Sequence, residues 1–495
     1  MMKHFSASAS PMTAINPALD VLIIGAGFSG LALAHALNRA GRRRFCVLEK
    51  AASVGGTWRD NRYPGAACDV PSHLYSLSFA PNPNWSRLYP KQPEIEAYLK
   101  GLAALELGPG QLLLNCTVEN ARWDESAALW RLCSADGREF SARVVVGAMG
   151  GLHVPAWPEI PGRERFAGAQ IHSARWPQAL DLSGQRVVLI GTGASAVQLL
   201  PPVAQVATSV KVIQRTPSFI LPRSDAAIPA PVRSAFAHVP GLRLAFRGAI
   251  YLTLEALSSG LLHPRTAFWA SALARWHLKR QVSDPGLREK LTPAYAIGCK
   301  RVLVSSDYYP ALCRSNVELI TAPIAQIEES GVRLGDGRLL KADTLLYASG
   351  FKPLDVLAHL SVQGRDGRLL KADWQARPRS YYGLSVHGYP NWFFLLGPNS
   401  ALGHNSVLYM IESQVRHILA ALKRLDSART IEVHAAAQER FMDRLDRRFP
   451  GTAWATGCKS WYLNDKGENI ALWIGSTIGY RMAVRRLKLA DYCVC

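Results

Sequence analysis

The sequence has no two cysteines at the two-residue spacing of a zinc knuckle or redox motif, and its nine cysteines (46, 68, 116, 133, 299, 313, 458, 493 and 495) are scattered and odd in number. That argues against a fully paired disulfide framework and for free or buried thiols in a reducing compartment. A serine flanked by glycines in the manner of a hydrolase elbow is also missing, as is a cluster of metal-ligating side chains, so neither a hydrolase nor a metalloenzyme is expected. Acidic residues are few, 37 against 57 Lys and Arg, which leaves a net charge of +20. No basic run interleaved with aromatics stands out, so a dispersed basic surface is expected rather than a nucleic-acid interface. The uncharged stretch from Val21 to Leu37 is short for a membrane span and carries Gly25, Gly27 and Gly30 at its centre. It reads as a buried strand turning into a helix. The first nineteen residues are small and polar, without a secretory pattern, and read as a flexible arm.

At 495 residues the chain is long for one core, so two or three units are expected. The apolar strand before Gly25 runs straight into Gly25, Gly27 and Gly30, a helix follows, and a second apolar strand, Phe45 to Leu48, ends in Glu49. Gly25 suits the tight turn, Gly27 the approach of backbone to a pyrophosphate, and Gly30 close helix–strand packing. Helix amides then face phosphate, and Glu49 suits a ribose. The pattern returns at Gly191 and Gly193, with Ala196 in place of the third glycine. The strand that follows, Val210 to Gln214, ends in Arg215 and Thr216 instead of an acid. A cation there attracts a 2′-phosphate, which selects NADPH over NADH. The segments ending at Gly150 and Gly350 each follow a turn, Asp136-Gly137 and Asp336-Gly337, and return the chain to the two nucleotide folds. The expected class is α/β, with two Rossmann-like dinucleotide-binding domains and a helical insertion.

Between the two folds lie Phe166, Gly168, His172, Trp176 and Pro177. Their spacing resembles the fingerprint of type I Baeyer–Villiger monooxygenases, within the class B flavoprotein monooxygenases. Gly55 to Trp58, Asn61 to Asp69 with Tyr75 beyond, Lys91 to Ile95, and Gly298 to Arg301 followed by Tyr308, Tyr309, Asn316 and Val317 extend the resemblance to the C-terminus. Ser349 stands where the family usually has threonine, which keeps the hydroxyl.

The resemblance implies FAD in the first fold (residues 20–157 and 384–495), NADPH in the second (158–222 and 296–383), and 223–295 as the insertion. It implies flavin-side contacts from Ser29, Gly56, Thr57, Trp58, Asp69, Tyr75 and Val118, and NADP-side contacts from Thr192 and Ser195 besides the motif residues. Arg301, held by Asp69, is the cation that faces the flavin; Lys300 is grouped with these catalytic residues, and His172 has an organising role. The implied reaction inserts one oxygen atom of O2 beside a ketone carbonyl through a C4a-peroxyflavin. The product is an ester or lactone; oxygenation of amines or sulfides is the alternative. An arginine suits an anionic oxygen in a low-dielectric pocket better than a lysine, whose pKa falls on burial. The run from Gly397 to Ser406 resembles members acting on linear or aryl ketones. A cytoplasmic monomer or homodimer without metal is expected.

The segment from Pro231 to Lys290 carries nine Lys and Arg against Glu255, Asp284 and Glu289. Its simplest reading is a helical insertion packed on the NADP domain beside the substrate entrance. A peripheral membrane contact through 231–290 is the sharper one.

Overall fold

The computed structural model describes residues 18–262, 266–353, 355–458 and 460–495; most of the expected N-terminal arm lies outside them. Two α/β layers dominate. In the first, β1 (Leu19–Ile24) passes through Gly25 into α1 (Phe28–Arg39), and β2 (Phe45–Leu48) lies parallel to β1. β3 (Leu112–Leu113) flanks β2, and β4 (Val118–Asp124), β5 (Leu129–Ser134) and β6 (Glu139–Gly147) form an antiparallel meander. β6 then runs parallel to β1. Val21, Leu22, Ile23, Val144, Val145 and Val146 are wholly buried, as a strand covered on both faces requires.

The second layer repeats the plan. β7 (Ala169–His172), β8 (Arg186–Ile190) and β9 (Ser209–Ile213) join strands Val317–Ile320 and Thr344–Tyr347 in an all-parallel sheet. Its glycine turn leads into α4 (Ala194–Val206). The two halves match bond for bond. Gly25 N donates to Leu48 O and Gly191 N to Ile213 O, while Ala148 N donates to Ile24 O and Ala348 N to Ile190 O.

Two placements differ from the sequence expectation. The chain rejoins the first sheet well before 384, because Ser361–Gln363 pairs with β4 and Leu370 and Trp374 enter its core. The insertion also does not pack on the second layer alone. It holds α5 (Ala230–His238), α6 (Leu242–Leu262), α7 (Phe268–Gln281) and α8 (Pro285–Leu291). Leu278 and Leu291 join the second core, whereas Ile250, Tyr251 and Leu254 of α6 pack against the first. Glu255 fixes that docking. Its carboxylate accepts from Asn405 Nδ2 at 2.7 Å, Thr477 N at 2.7 Å and Thr477 Oγ1 at 2.9 Å. Arg247 Nη1 adds donations to His73 O and Ser76 O. A carboxylate only 11% exposed is tolerated because its lone pairs are filled. Among the described residues no helix is long and apolar enough to cross a membrane.

Candidate active site

Each glycine turn leaves a cradle that a side chain would fill. A Cβ on Gly25 would lie 2.7 Å from Ala148 O, and one on Gly191 2.5 Å from Ala348 O. Both residues have left-handed φ, +111° and +114°. A Cβ on Gly30 would lie 1.9 Å from Gly25 O, which is the close helix–strand approach expected of the third glycine. Ala196, its counterpart, is fully buried. Neither Gly27 nor Gly193 offers a side-chain cap, and the first turns of α1 and α4 hold no acid. Their amides are therefore available to phosphate oxygens. Ser29 lies buried in that first turn of α1, and Ser195 is half-buried in the first turn of α4.

Glu49 sits at the end of β2, as expected. One carboxylate oxygen accepts from Ala26 N (2.9 Å), the other from Ala51 N (3.0 Å) and Arg59 Nη1 (2.9 Å). Arg59 carries no motif of its own in the sequence; it follows the Gly-Thr-Trp run and is itself buried. Cys116 N donates to Glu49 O, which brings Val118 at the start of β4 toward the same corner. Gly56 approaches Gly27, a Cβ on the former falling 3.2 Å from the latter's Cα. Thr57 opens the short helix α2 (Thr57–Asp60), and Trp58 Nε1 donates to the Tyr75 hydroxyl at 3.0 Å.

The loop to Asp69 is docked on the second layer. Tyr63 hydroxyl donates to Gln198 Oε1 (2.9 Å), and Gln198 Nε2 donates to Ala67 O (2.9 Å). Gly65 lies so close that a Cβ would stand 2.3 Å from Gln198 O. This explains the glycine and tyrosine of the loop, and Gln198 is a partner the sequence pattern did not reveal.

Asp69 and Arg301 come together across 232 residues, Arg301 Nε donating to Asp69 Oδ2 at 3.0 Å and Nη2 donating to the same oxygen. Asp69 holds the Arg301 guanidinium's pKa above its ordinary value, against partial desolvation, while the Arg301 and Asp69 side chains stay 39% and 27% exposed. Burial opposes the Asp69 carboxylate, yet the charge and hydrogen bonds of Arg301 keep its pKa below the usual range. Arg223 is a second cation near Asp69, with its guanidinium over the Tyr89 ring at 4.7 Å. Tyr462, fully buried, faces Arg301; burial raises its phenol's pKa and the Arg301 charge opposes that rise. Arg223 and Tyr462 come from segments without a local motif, so only the fold discloses them.

Cys299 is bonded to Cys458. The pair departs from the expectation of free or buried thiols, while the other seven cysteines are free, as an incompletely paired set requires. The 159-residue separation carries no local spacing signal, and an odd total of cysteines does not preclude one bridge.

Lys300 points elsewhere than its neighbour. Burial and the charge of Arg215 both lower its ammonium's pKa, and Nζ lies 5.0 Å from the Tyr295 ring centroid. Arg215 itself is exposed at the end of β9, and Thr216 O accepts from the Thr192 hydroxyl at 3.0 Å. Two cations close enough for one to lower the other's pKa suit an anion beside them.

His172 is fully buried at the end of β7. Burial pushes its pKa down to about 4, so it is neutral near pH 7. Its Nδ1 accepts from Ala174 N at 3.1 Å, which leaves the proton on Nε2. Trp157 and Phe351 flank its ring, with centroids at 5.3 and 6.1 Å. They belong to two crossing segments, joined by Ala156 N to Gly350 O, Lys352 N to Val154 O, and the Ser349 hydroxyl to Ala156 O at 2.7 Å.

Family models match twice: an NAD(P)-binding Rossmann-like domain over residues 23–91, and a flavin-binding monooxygenase-like family over 133–232. A Baeyer–Villiger monooxygenase of Pseudomonas aeruginosa is 42% identical, over 99% of this chain and 94% of its own. One from Streptomyces coelicolor is 40% identical, over 96% and 92%. A solved steroid monooxygenase bound to NADP aligns with TM-score 0.85 and 31% identity, over 97% of this chain and 99% of that one. The closed structure of a cyclohexanone monooxygenase aligns with TM-score 0.87 and 26% identity over the same shares. With both nucleotide cradles, the arginine–aspartate pair and full-length likeness in agreement, the chain belongs to the Baeyer–Villiger monooxygenases.

Proposed function

We propose that the chain binds FAD in the first layer and NADPH in the second, and inserts one atom of O2 beside a ketone carbonyl to give an ester or lactone. The observation that carries this reading is the ion pair of Arg301 with Asp69. The two open helix termini and the glycine cradles fit the pyrophosphates of two dinucleotides. FAD, when bound, supplies the transfer of electrons from NADPH to molecular oxygen.

The rest belongs to the chain's own side chains. Gly25, Gly27, Ser29, Gly30 and Glu49 hold the FAD diphosphate and ribose, with Gly56, Thr57, Trp58, Tyr75 and Val118 around the remainder. Gly191, Thr192, Gly193, Ser195 and Ala196 cradle the second diphosphate. Arg215, Thr216 and Lys300 take the 2′-phosphate, so Lys300 serves the coenzyme rather than the oxygenation step. Arg301 presents a permanent positive charge to the anionic oxygen developed during the reaction, and Asp69 orients its guanidinium. His172, neutral and enclosed, braces the two crossing connectors. Linear or aryl ketones are the proposed substrates, on the resemblance of the Gly397 to Ser406 run, and the proposed location is the cytoplasm.

The deciding experiment supplies purified FAD-loaded protein with NADPH, oxygen, and a panel of ketones and sulfides. Esters in proportion to NADPH consumed are expected. Sulfoxides without esters, or NADPH consumption without any oxygenated product, would remove the ketone assignment.

A further inference from the structure

Helix α7 is held by one side and presents the other. Ala274, His277 and Leu278 are buried, and His277 Nε2 is bonded to Ser305 O at 2.8 Å. The opposite stripe runs through Trp269, Leu273 and Trp276, which are 72%, 43% and 51% exposed. Large aromatics this exposed are uncommon on a surface that meets only water. Arg280 continues this stripe toward the helix C-terminus, Lys279 and Arg275 flank it on one side, and all three are exposed. The Arg280 guanidinium lies 5.3 Å from the Trp276 ring centroid.

The charge on this face has one sign. Helix α7 contains no Asp or Glu, and Arg275, Lys279 and Arg280 make no ion pair among the described residues. Of the three acids between Pro231 and Lys290, Glu289 is exposed on α8 and the other two are committed elsewhere. Glu255 accepts from Asn405 and Thr477, and Asp284 caps α8 by accepting from Gly286 N and Leu287 N. The preceding helix, α6, also exposes apolar side chains: Leu244, Leu252 and Leu257 are 72%, 61% and 59% exposed.

We infer that α7 is an interfacial anchor, laying Trp269, Leu273 and Trp276 into the headgroup boundary of an anionic bilayer while Arg275, Lys279 and Arg280 meet the lipid phosphates. Tryptophan sits well at that depth, because its ring is apolar and its N–H polar. The one-sided charge favours a lipid surface over a second copy, since a two-fold interface would set these three cations against their own duplicates. The inference rests on the surface of α7 alone and is independent of which substrate the site oxidises.

The test is co-sedimentation of the FAD-loaded protein with vesicles of phosphatidylcholine, alone or mixed with phosphatidylglycerol. Retention on the mixed vesicles, weak retention on neutral ones, release by salt, and a blue shift of tryptophan emission are expected. Each cation near an anionic surface contributes about fivefold to partitioning, so R275Q/K279Q/R280Q should weaken it roughly 100-fold. W269S/W276S should weaken it roughly tenfold or more by removing apolar burial. Both variants should keep the melting temperature of the parent and its turnover of a water-soluble ketone. Parent protein left in the supernatant with phosphatidylglycerol vesicles overturns the inference, and so does either variant binding like the parent. A parent dimer that both variants convert to monomer, with no vesicle binding, assigns the face to self-association instead.

Discussion

Cys299 is tied to Cys458, and Arg301 follows two residues after the first while Tyr462 follows four after the second. The bridge therefore draws the segments bearing the site's cation and its buried phenol toward one another. Closing a loop of 159 residues restricts the unfolded chain strongly, by up to about 5 kcal/mol on the chain-entropy model. Cys458→Ser should lower the melting temperature by several degrees and raise the KM for ketone more than that for NADPH. Non-reducing peptide mapping should find the linked pair; recovery of both thiols freely alkylated in unreduced protein would refute the bridge in solution.

Arg301→Ala should retain FAD and still consume NADPH, while ester formation falls at least ~100-fold and oxygen returns as hydrogen peroxide. Arg301→Lys should recover little, because an ammonium lacks the planar fork that Asp69 engages through Nε and Nη2. Asp69→Ala should show a milder form of the same uncoupling. The measurement is the ratio of ester to NADPH consumed, and a ratio near that of the parent in Arg301→Ala would exclude the arginine from the oxygenation step.

Arg215 and Lys300 should behave alike. Loss of a charge-assisted phosphate contact costs roughly 1.5–3 kcal/mol, so each alanine variant should raise the KM for NADPH by about ten- to a hundredfold. The KM for NADH should change little. A fall in kcat at saturating NADPH in Lys300→Ala, with KM unmoved, would return Lys300 to the oxygenation step.

Acid should destabilise the fold through histidines shielded from water. His73, His153, His172 and His417 are all pushed down to about 4, with burial the largest cause in each. A histidine whose folded pKa lies below its unfolded value of about 6.5 stabilises the native state above that pH. The contribution is lost as pH falls from about 6.5 toward 4, by roughly 1 kcal/mol per pH unit for each histidine across that window. Thermal melts should be flat between pH 7 and 8 and fall steeply below 6. His417→Gln should flatten the slope while lowering the plateau, because Val484 O and the Tyr492 hydroxyl both bond the ring. A slope equal to the parent's would show that His417 does not titrate there.

What was legible in the sequence is what local chain geometry demands. Gly25, Gly30 and Gly191 announce themselves because no other residue fits so near a carbonyl, and Glu49 and Arg215 follow because each ends the strand after its glycine turn. Asp69 and Arg301 are legible only through the family resemblance, and their meeting is tertiary. Arg59, Gln198, Arg223 and Tyr462 carry no local signal, for a different reason. Each gains its significance from a partner on another segment, as Gln198 does from Tyr63 and Ala67, and no periodicity or spacing encodes that. The insertion shows the limit most clearly. Its helices are foreseeable, but the side on which α6 docks depends on distant partners, Glu255 finding Asn405 and Thr477 and Arg247 finding the carbonyls of His73 and Ser76.

The Glu255 carboxylate sets a condition on engineering. Grafting residues 223–295 of this chain into a relative to alter substrate scope would separate Glu255 from donors that lie 150 and 222 positions further along the chain. A chimera lacking matched residues at 405 and 477 would inherit a buried charge without its donors, and would fold poorly before any question of selectivity arose. Recombination at this enzyme's insertion has to move three stretches of sequence as one cassette.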